Sequence, residues 1–489
     1  MARKSNIVAV CAAYVWVVMS LMSCSNDKVV KEVSQLPPIY PDYVDVTIPI
    51  NIAPLNFLLR DSAEGVEVYA DGKRMCRRAG SEVVFKENEW RTLLQNSVGK
   101  DIEVKVRAEY KDFIAEYAAF KWTVVEDSID SYLTYRLIEP DYEVFSRLTM
   151  EERCVENFEK RSFCDYERVG NRCMNCHAYN RQDPMFSMLY VRGKNGGAVL
   201  NRNGNLSILD LNVGGGEGGS VYFGFHPSGR YIVFSSNHII PAFHSSGSRR
   251  LEVYDDVSDI YVADLDEYRI YTNDLLSDSL SLETFPTFSP DGKYVYFCTA
   301  EKVRLPEEVE DLQYRLCRIS FDNGVLGQEV DTLYKAGTSV CHPKVSPDGR
   351  YLLYTVQDYG TFPIWHREAD LRMMDLCTGE VDSLEVVNSD RSDTYHCWSS
   401  NSRWFVFASK RDDGLYGKPY FSYVDREGKA HKPFVLPQKN PQFYDNCLKS
   451  FNVPELGCGS LPFNAEDVGK LMHSFSPLRF SVGQRTSSL

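Results

Sequence analysis

The sequence predicts an all-β protein, namely a β-propeller of about six blades preceded by a small β-sandwich with Ig-like architecture. Three observations support this prediction. Aromatic residues make up 13% of the 489 residues, a content that favours strands. Short alternating segments separated by turn residues fill residues 42–126, which is typical of a sandwich. One turn signature then recurs through the rest of the chain, as it does in propeller blades.

The recurring signature is a turn with Pro, then Asp or Ser, then Gly, followed by an apolar run. Proline presets the turn, glycine takes the positive φ, and the apolar run becomes a buried strand. Complete copies occupy residues 225–234, 288–297 and 345–354, and a degenerate copy occupies 398–407. Further strand-like segments follow each copy, so a repeat of about 50 to 60 residues predicts four-stranded blades.

These copies resemble the blades of the TolB-like propeller family, which carry this turn as F-S-P-D-G-K/R; the resemblance covers residues 173–437. Five blades are recognisable, the first and the fifth without the full turn. A sixth is expected from the connector and the C-terminal tail, which would close the ring by pairing the two ends. Segments 173–177, 188–193 and 448–454 also resemble bacterial lipoproteins that place a C-x-N-C-H motif before such a propeller.

The N-terminal residues indicate export. Arg3 and Lys4 precede an apolar run over residues 7–21, and Cys24 follows in Leu-Met-Ser-Cys. This pattern resembles a bacterial lipoprotein signal, in which Cys24 becomes the lipidated first residue; an uncleaved membrane anchor is the alternative. Later segments are too short and too polar to span a bilayer. We therefore expect a lipid-anchored protein of the cell envelope, on the outer membrane and facing the periplasm or the surface.

Five segments follow from these patterns. They are a signal peptide (1–23), a tether (24–41), the sandwich (42–126), a connector with a short helix at 149–160 (127–172), and the propeller (173–480).

The formal net charge of the chain is −14. Such a body repels nucleic acid and anionic lipid headgroups. Nucleic acid is therefore not an expected partner, and membrane contact is expected through the lipid anchor only. The expected partners are a redox protein or other envelope proteins.

The motif Cys173-Met174-Asn175-Cys176-His177 has the C-x-x-C-H spacing of c-type haem attachment. The two thiols add across the haem vinyl groups, and the adjacent histidine binds the iron from one side. The motif therefore predicts one covalent haem c on Cys173 and Cys176, with His177 as a ligand. A disulfide, half of a zinc site and a motif that has lost its haem remain as alternatives.

The sixth iron ligand has several candidates. Aligning the turns places Cys176 and His177 just ahead of or within the innermost strand of the first blade. The same stretch of the other blades contains Tyr222-Phe223, Phe285-Pro286, His342-Pro343 and Tyr395-His396. Innermost strands line the central channel, so His396 and His342 are candidates. Met185 and Met188 are closer in sequence and would raise the reduction potential. An open sixth position is the remaining alternative.

The other cysteines leave two pairings open. Cys154 with Cys164 and Cys447 with Cys458 are the closest pairs, and disulfides are compatible with an oxidising compartment. A zinc site from Cys154, Cys164, Cys173 and Cys176 has possible spacing, although the adjacent His177 favours haem.

Two functions of different classes follow. The first is a tethered monohaem cytochrome that transfers electrons and docks a redox partner. The second is a non-enzymatic propeller scaffold for protein–protein interaction in the envelope, with the C-x-x-C-H structural or vestigial. The chain has no nucleophile elbow, no H-E-x-x-H, no P-loop and no dinucleotide fingerprint, so those enzyme classes are not indicated. An enzyme that acts at an open haem is not separable from the first function.

Overall fold

The computed structural model describes residues 28–139, 148–213, 219–243, 251–335 and 337–483. The predicted signal peptide and Cys24 lie outside these ranges. Nearly all the regular structure is β, which confirms the predicted all-β class. No helix among the described residues has the length and apolar content needed to cross a membrane.

The N-terminal domain contains a large sheet, a small sheet and one helix. Its elements are β1 (Val29–Val33), β2 (Ile39–Tyr40), β3 (Val46–Pro49), β4 (Phe57–Leu59), β5 (Gly65–Ala70), β6 (Lys73–Ala79), β7 (Glu82–Val83), α1 (Glu87–Asn96), β8 (Lys100–Glu109), β9 (Phe113–Tyr117) and β10 (Phe120–Val125). The large sheet has the order β1-β9-β8-β10-β3, with β5 and β6 joined to it through β8, and the small sheet has the order β2-β4-β7.

Two features of this domain differ from the sequence prediction. Strands β1 and β2 lie within residues 24–41, which were expected to be a tether, because β1 pairs in parallel with β9. Helix α1 was not predicted. It buries Trp90 against Trp122, with ring centroids 5.2 Å apart, so tertiary packing rather than helical periodicity fixes it.

Six sheets form the propeller, four with four strands and two with a fifth strand at the outer edge. The closing blade combines β11 (Tyr132–Ile138), β12 (Thr149–Cys154) and β13 (Lys160–Asp165) with the late strand β34 (Ser450–Gly457). Strand β11 pairs antiparallel with both β12 and β34. The two ends of the propeller segment therefore pair in one sheet, as the sequence analysis expected.

The other five blades follow in chain order. Their strands are β14 (Met174–Asn180), β15 (Asp183–Val191), β16 (Gly197–Arg202) and β17 (Asn205–Asp210); β18 (Gly219–Phe225), β19 (Tyr231–Phe243), β20 (Leu251–Asp264) and β21 (Arg269–Tyr271); β22 (Ser281–Phe288), β23 (Tyr294–Glu301), β24 (Arg315–Asp322) and β25 (Val325–Tyr334); β26 (Ser339–Val345), β27 (Tyr351–Gln357), β28 (Asp370–Asp375) and β29 (Val381–Asp382); and β30 (Asp393–Trp398), β31 (Trp404–Ser409), β32 (Lys418–Tyr423) and β33 (Phe434–Val435).

Short elements complete the chain. They are 3-10 turns at Val309–Asp311 and Pro363–Trp365, helices α2 (Phe443–Asn446) and α3 (Ala465–Ser474), and edge strands β35 (Leu478–Arg479) and β36 (Ser481–Val482). Strands β35 and β36 pair in parallel with β17 and β21.

The innermost strands of the six blades form a closed ring. Strand β34 contacts β14, then β14 contacts β18, β18 contacts β22, β22 contacts β26, β26 contacts β30, and β30 returns to β34. The sheets and these contacts together define a six-bladed propeller with a central channel.

The repeated turn has the conformation that its residues predict. Gly229, Gly292 and Gly349 have φ between 73° and 76°, and the amide of Gly292 donates to the Ser289 carbonyl at 2.9 Å. Ser402 takes the same place in the degenerate copy, with φ 61° and its amide 3.0 Å from the Ser399 carbonyl. The fifth blade therefore keeps the turn without its glycine.

The helix predicted at residues 149–160 is wrong. Residues 149–154 form strand β12, whose Met150 is fully buried against Phe163 in one core cluster. The Glu152 carboxylate is buried as well and accepts from Arg161 at 3.0 Å. Pairing with β11 and β13 outweighs the helical propensity of this acidic segment.

Candidate functional site

A cavity occupies the central channel at the end of the ring where the innermost strands begin. It contains about 1400 Å³ of space outside atoms, its open mouth included. Every blade contributes to its wall.

The innermost strands are interrupted by a β-bulge at the same level in all six blades. The pairing register shifts there in each sheet. The residue at each shift is not glycine, yet it has a positive φ between 31° and 54°. These six residues, which we call the bulge ring, are Cys176, Tyr222, Phe285, His342, Tyr395 and Val453.

The bulge ring aims its side chains into the channel, where all six line the cavity. The ring centroids of Tyr222 and Phe285 are 4.4 Å apart, those of Phe285 and His342 are 4.0 Å apart, and those of His342 and Tyr395 are 5.0 Å apart. A positive φ at a bulky residue costs free energy and persists where the surrounding structure determines it. The sequence alignment of the blades predicted the convergence of five of these residues, all except Val453, but it did not predict the bulge that causes it.

The pairing register of the strands shows at which depth of the cavity each lining residue lies. Cys173 directly precedes β14, and its carbonyl accepts from the amide of Arg192, which directly follows β15. Both residues therefore lie at the mouth, as does Lys410, which directly follows β31. Below the bulge ring lie the residues that follow it by one or two positions along the strands: His177, Lys344, His396 and Glu455.

The three chemical groups of the C-x-x-C-H motif face one cavity. Cys173 is partly buried at the mouth, Cys176 belongs to the bulge ring, and His177 lies just below it. Burial raises the pKa of the Cys176 thiol and lowers the pKa of His177 to about 4. The His177 imidazole is thus neutral at pH 7, and its Nε2 is buried without a hydrogen-bond partner among the described residues.

Two of the four predicted sixth ligands lie in the same cavity. Burial lowers the pKa of His396 to about 3, and its Nε2 donates to the Leu353 carbonyl at 3.0 Å. Burial also lowers the pKa of His342 well below its usual value. Both imidazoles are therefore neutral at pH 7, which is the form that binds a metal.

The two methionines lie elsewhere. Met185 is 38% exposed, and Met188 is packed in a blade core with Ala178 and Leu200. Neither lines the cavity. Both are on β15, the second strand of its blade, behind the innermost strand β14.

The alternatives from the other cysteines gain no support. All the cysteines that the structure describes are free. Cys154 lies opposite Tyr132 and Cys164 opposite Met150, at distant points of their sheet, and β34 separates Cys447 from Cys458. Among the described residues, no three His, Cys, Asp or Glu side chains come together as a site for a metal ion. These observations count against the four-cysteine zinc site.

Sequence reasoning missed the cationic side chains of the cavity. Four line it, and two carboxylates accompany them: Arg136, Arg192, Lys344, Lys410, Glu139 and Glu455. The Lys344 Nζ lies 3.5 Å from Glu455. The position of Arg192 and Lys410, directly after the second strand of a blade, was a signal that could have identified them.

Comparison with known proteins gives distant structural similarity only. No protein-family model and no curated protein matches the chain. A putative TolB from Agrobacterium tumefaciens is 14% identical over 64% of this chain and 94% of its own, with a TM-score of 0.37. A periplasmic gluconolactonase from Pseudomonas aeruginosa is 14% identical over 63% of this chain and 97% of its own, with a TM-score of 0.31.

A puromycin-hydrolysing peptidase from Mycobacterium tuberculosis is 12% identical over 70% of this chain, with a TM-score of 0.36, and the match spans 52% of the peptidase. All three scores lie below 0.5. The propeller assignment therefore rests on the six sheets and the contacts between their innermost strands.

Proposed function

We propose that this protein is a lipid-anchored protein of the cell envelope whose propeller carries one covalent c-type haem and transfers electrons to or from a docked redox partner. One observation carries the proposal. The side chains of Cys173, Cys176 and His177 all line a single cavity, and the His177 Nε2 is buried there without a hydrogen-bond partner in the part of the chain that the structure describes. A buried polar atom without a partner is costly in a folded protein, and an iron atom would satisfy it.

The residues present fit such a group. Both thiols are free and line the cavity, and the imidazoles of His177 and His342 line the same cavity from different blades. His342 lies at the level of Cys176 in the bulge ring, whereas His396 lies deeper and its Nε2 is bonded to Leu353. The level of His342 favours it as a sixth ligand, and His396 stays the alternative, because its Nδ1 is buried without a hydrogen-bond partner among the described residues. When bound, haem supplies a one-electron carrier.

The chain would shape the behaviour of that carrier. Tyr222, Phe285 and Tyr395 surround the cavity with apolar ring surface, which limits solvent access and so influences a reduction potential. The mouth opens at the end of the ring where Cys173 lies. We propose that a redox partner docks over this mouth.

The test is a pyridine haemochrome spectrum of the full chain made in a host with cytochrome c maturation. We expect a c-type α-band in the wild type. It should be lost in a Cys176→Ala variant, because the haem then lacks one of the two thioether bonds that attach and position it. Cys377 is exposed and lies away from the cavity, so Cys377→Ala is the matched control and retains the band. A folded wild-type protein without the band would refute the haem proposal.

The anchor needs its own test, because Cys24 lies outside the described residues. We expect the full-length chain to partition into detergent and to incorporate labelled fatty acid, and a Cys24→Ala variant to do neither. A Cys24→Ala variant that still partitions into detergent would point to an uncleaved membrane anchor instead.

A scaffold without haem is the second candidate. The side chains of the bulge ring contact one another between neighbouring blades, with centroids of Phe285 and His342 only 4.0 Å apart. These contacts pack this level of the channel with the chain's own residues, which is sufficient for a purely structural propeller. The haemochrome spectrum separates the two candidates.

A further inference from the structure

Lys410 is a buried lysine at the mouth of the cavity. Lys410 is the residue directly after β31, and it is only 8% exposed. The Nζ lies 4.8 Å above the centre of the Trp365 ring. Lys410 and Trp365 line the central cavity and also a smaller adjacent pocket, which Arg391 and Ser392 help to form.

No carboxylate pairs with this ammonium group. Among the described residues, none lies within ion-pairing distance of the Lys410 Nζ. The other lysine of the cavity, Lys344, has Glu455 at 3.5 Å, and the nearby Asp413 lies 3.7 Å from Lys418. Burial lowers the pKa of Lys410 to about 8, an effect that Asp413 partly offsets. Lys410 is therefore mostly charged at pH 7, and a buried charge without a counter-ion is destabilising.

The charge of the cavity is opposite to that of the whole chain. Four cationic and two anionic side chains line it, whereas the chain carries a formal charge of −14. Both anionic groups have a lysine within 4 Å, Glu455 at Lys344 and Glu139 at Lys449. A cleft with this excess of positive charge attracts anions.

The surface beside Lys410 is apolar. Phe362, Ile364 and Trp365 lie on the loop that follows β27, and all three line the cavity. An occupant of this position therefore needs an anionic group for the ammonium and an apolar body for the loop. A hydrated inorganic anion has only the first of these.

We propose that Lys410 binds the carboxylate of a ligand whose apolar body lies against Trp365 in the mouth of the cavity. Two sources share this chemistry. One is a propionate of the tethered haem, which rests on the function proposed above, and the other is a free small organic acid, which does not. The interaction is a charge-assisted hydrogen bond from the ammonium to the carboxylate.

Calorimetric titration with 3-phenylpropionate tests this proposal. The full chain is used in two forms, one made without cytochrome c maturation and one made with it, and 3-phenylpropionamide is the uncharged comparison. We expect the acid to bind to the haem-free form, and Lys410→Met to weaken binding by about tenfold or more. Lys410→Arg keeps the charge and retains binding. Lys293 is exposed on a blade turn, so Lys293→Met is the matched control and changes nothing.

The two sources give different results. Binding of the acid to both forms identifies a free organic acid as the ligand. Binding to the haem-free form alone, together with a lower reduction potential of the haem in Lys410→Met, identifies a propionate. The proposal is overturned if the amide binds as well as the acid, if Lys410→Met binds as the wild type does, or if neither form binds the acid. The haem-free titration stays informative even if the haem proposal fails.

Discussion

The channel-facing residues of the innermost strands adopt a backbone conformation that glycine adopts most easily. Tyr222, Phe285, His342 and Tyr395 all have φ between 51° and 54°. Regular strand pairing continues on both sides of each bulge, so the sheets hold the residue in this conformation. The bulge turns the side chain into the channel, and the fold thereby places one chosen residue of each blade at the same level.

Behind this ring, burial favours the protonated form of the Asp255 carboxyl group. The residue is fully buried, the Asn237 Nδ2 donates to its Oδ2 at 2.9 Å, and its Oδ1 has no hydrogen-bond partner among the described residues. Burial raises the pKa of Asp255 to about 7. The folded protein therefore binds this proton more tightly than the unfolded chain does.

This shift predicts a dependence of stability on pH. Because the folded pKa is raised, the stabilisation is fully present below the unfolded pKa of about 4 and is lost as the pH rises through about 7. An Asp255→Asn variant does not titrate there, so its free energy of unfolding should fall less between pH 5 and 8. The difference is on the order of 1.4 kcal/mol per pKa unit.

Urea unfolding at several pH values measures this difference. Asp112 is exposed, so Asp112→Asn is the control and should follow the wild-type pH dependence. Equal slopes for Asp255→Asn and wild type would show that Asp255 is not protonated in the folded protein.

At the scale of the elements, the recurring turn signature located four of the blades, whereas the sequence of the connector did not reveal the strands of the closing blade. The signature precedes the second strand of four blades, and even its degenerate copy forms the turn, because Ser402 adopts the positive φ of the missing glycine. The closing blade has no such turn. Its innermost strand, β34, lies far along the chain from β11 and β12. The blade is therefore defined by long-range strand pairing and not by a local sequence pattern.

The sequence predicted part of the candidate site, as it predicted part of the propeller. The motif gave Cys173, Cys176 and His177, and blade alignment gave His342 and His396, all of which line the cavity. Proximity in sequence suggested Met185 and Met188 as well, but strand position decides which side chains reach the channel. Lys410 carries no motif; its position directly after β31 is a weak sequence signal, and its burial without an ion pair is visible only in the fold.

The closing blade provides a prediction about one strand. Leu456 of β34 is fully buried and lies opposite Leu133 of β11. A Leu456→Ala variant leaves a cavity at the junction of the two chain ends, so we expect its free energy of unfolding to fall by about 2–5 kcal/mol. Leu448 is 67% exposed just before the same strand, so Leu448→Ala should cost less than about 0.5 kcal/mol. Urea unfolding compares them, and a small effect at Leu456 would mean that the ring does not depend on this contact.

At the scale of the whole molecule, the sandwich and the propeller share one hydrophobic core. A single cluster of buried side chains includes Trp90 and Trp122 of the sandwich and Trp404 of the fifth blade. Hydrogen bonds cross the same boundary: the Asn56 Nδ2 donates to the Gln438 carbonyl at 3.1 Å, and the Lys432 Nζ donates to the Val44 carbonyl at 2.7 Å. The sandwich is therefore built into the propeller and is not a separately hinged spacer.

This shared core predicts that the two parts unfold together. Trp90 lies in the sandwich, is 1% exposed, and its Nε1 donates to the Ile52 carbonyl at 2.9 Å. A Trp90→Phe variant loses that bond and leaves a buried carbonyl without its donor, which costs about 1–3 kcal/mol. In a calorimetric scan we expect one transition in wild type and one transition at a lower temperature in Trp90→Phe. The propeller should be destabilised together with the sandwich, because the two share one core. Leu415 is 48% exposed in the fifth blade, so Leu415→Ala should leave the transition where it is. Two transitions, of which only one moves in Trp90→Phe, would show that the sandwich and the propeller are energetically independent.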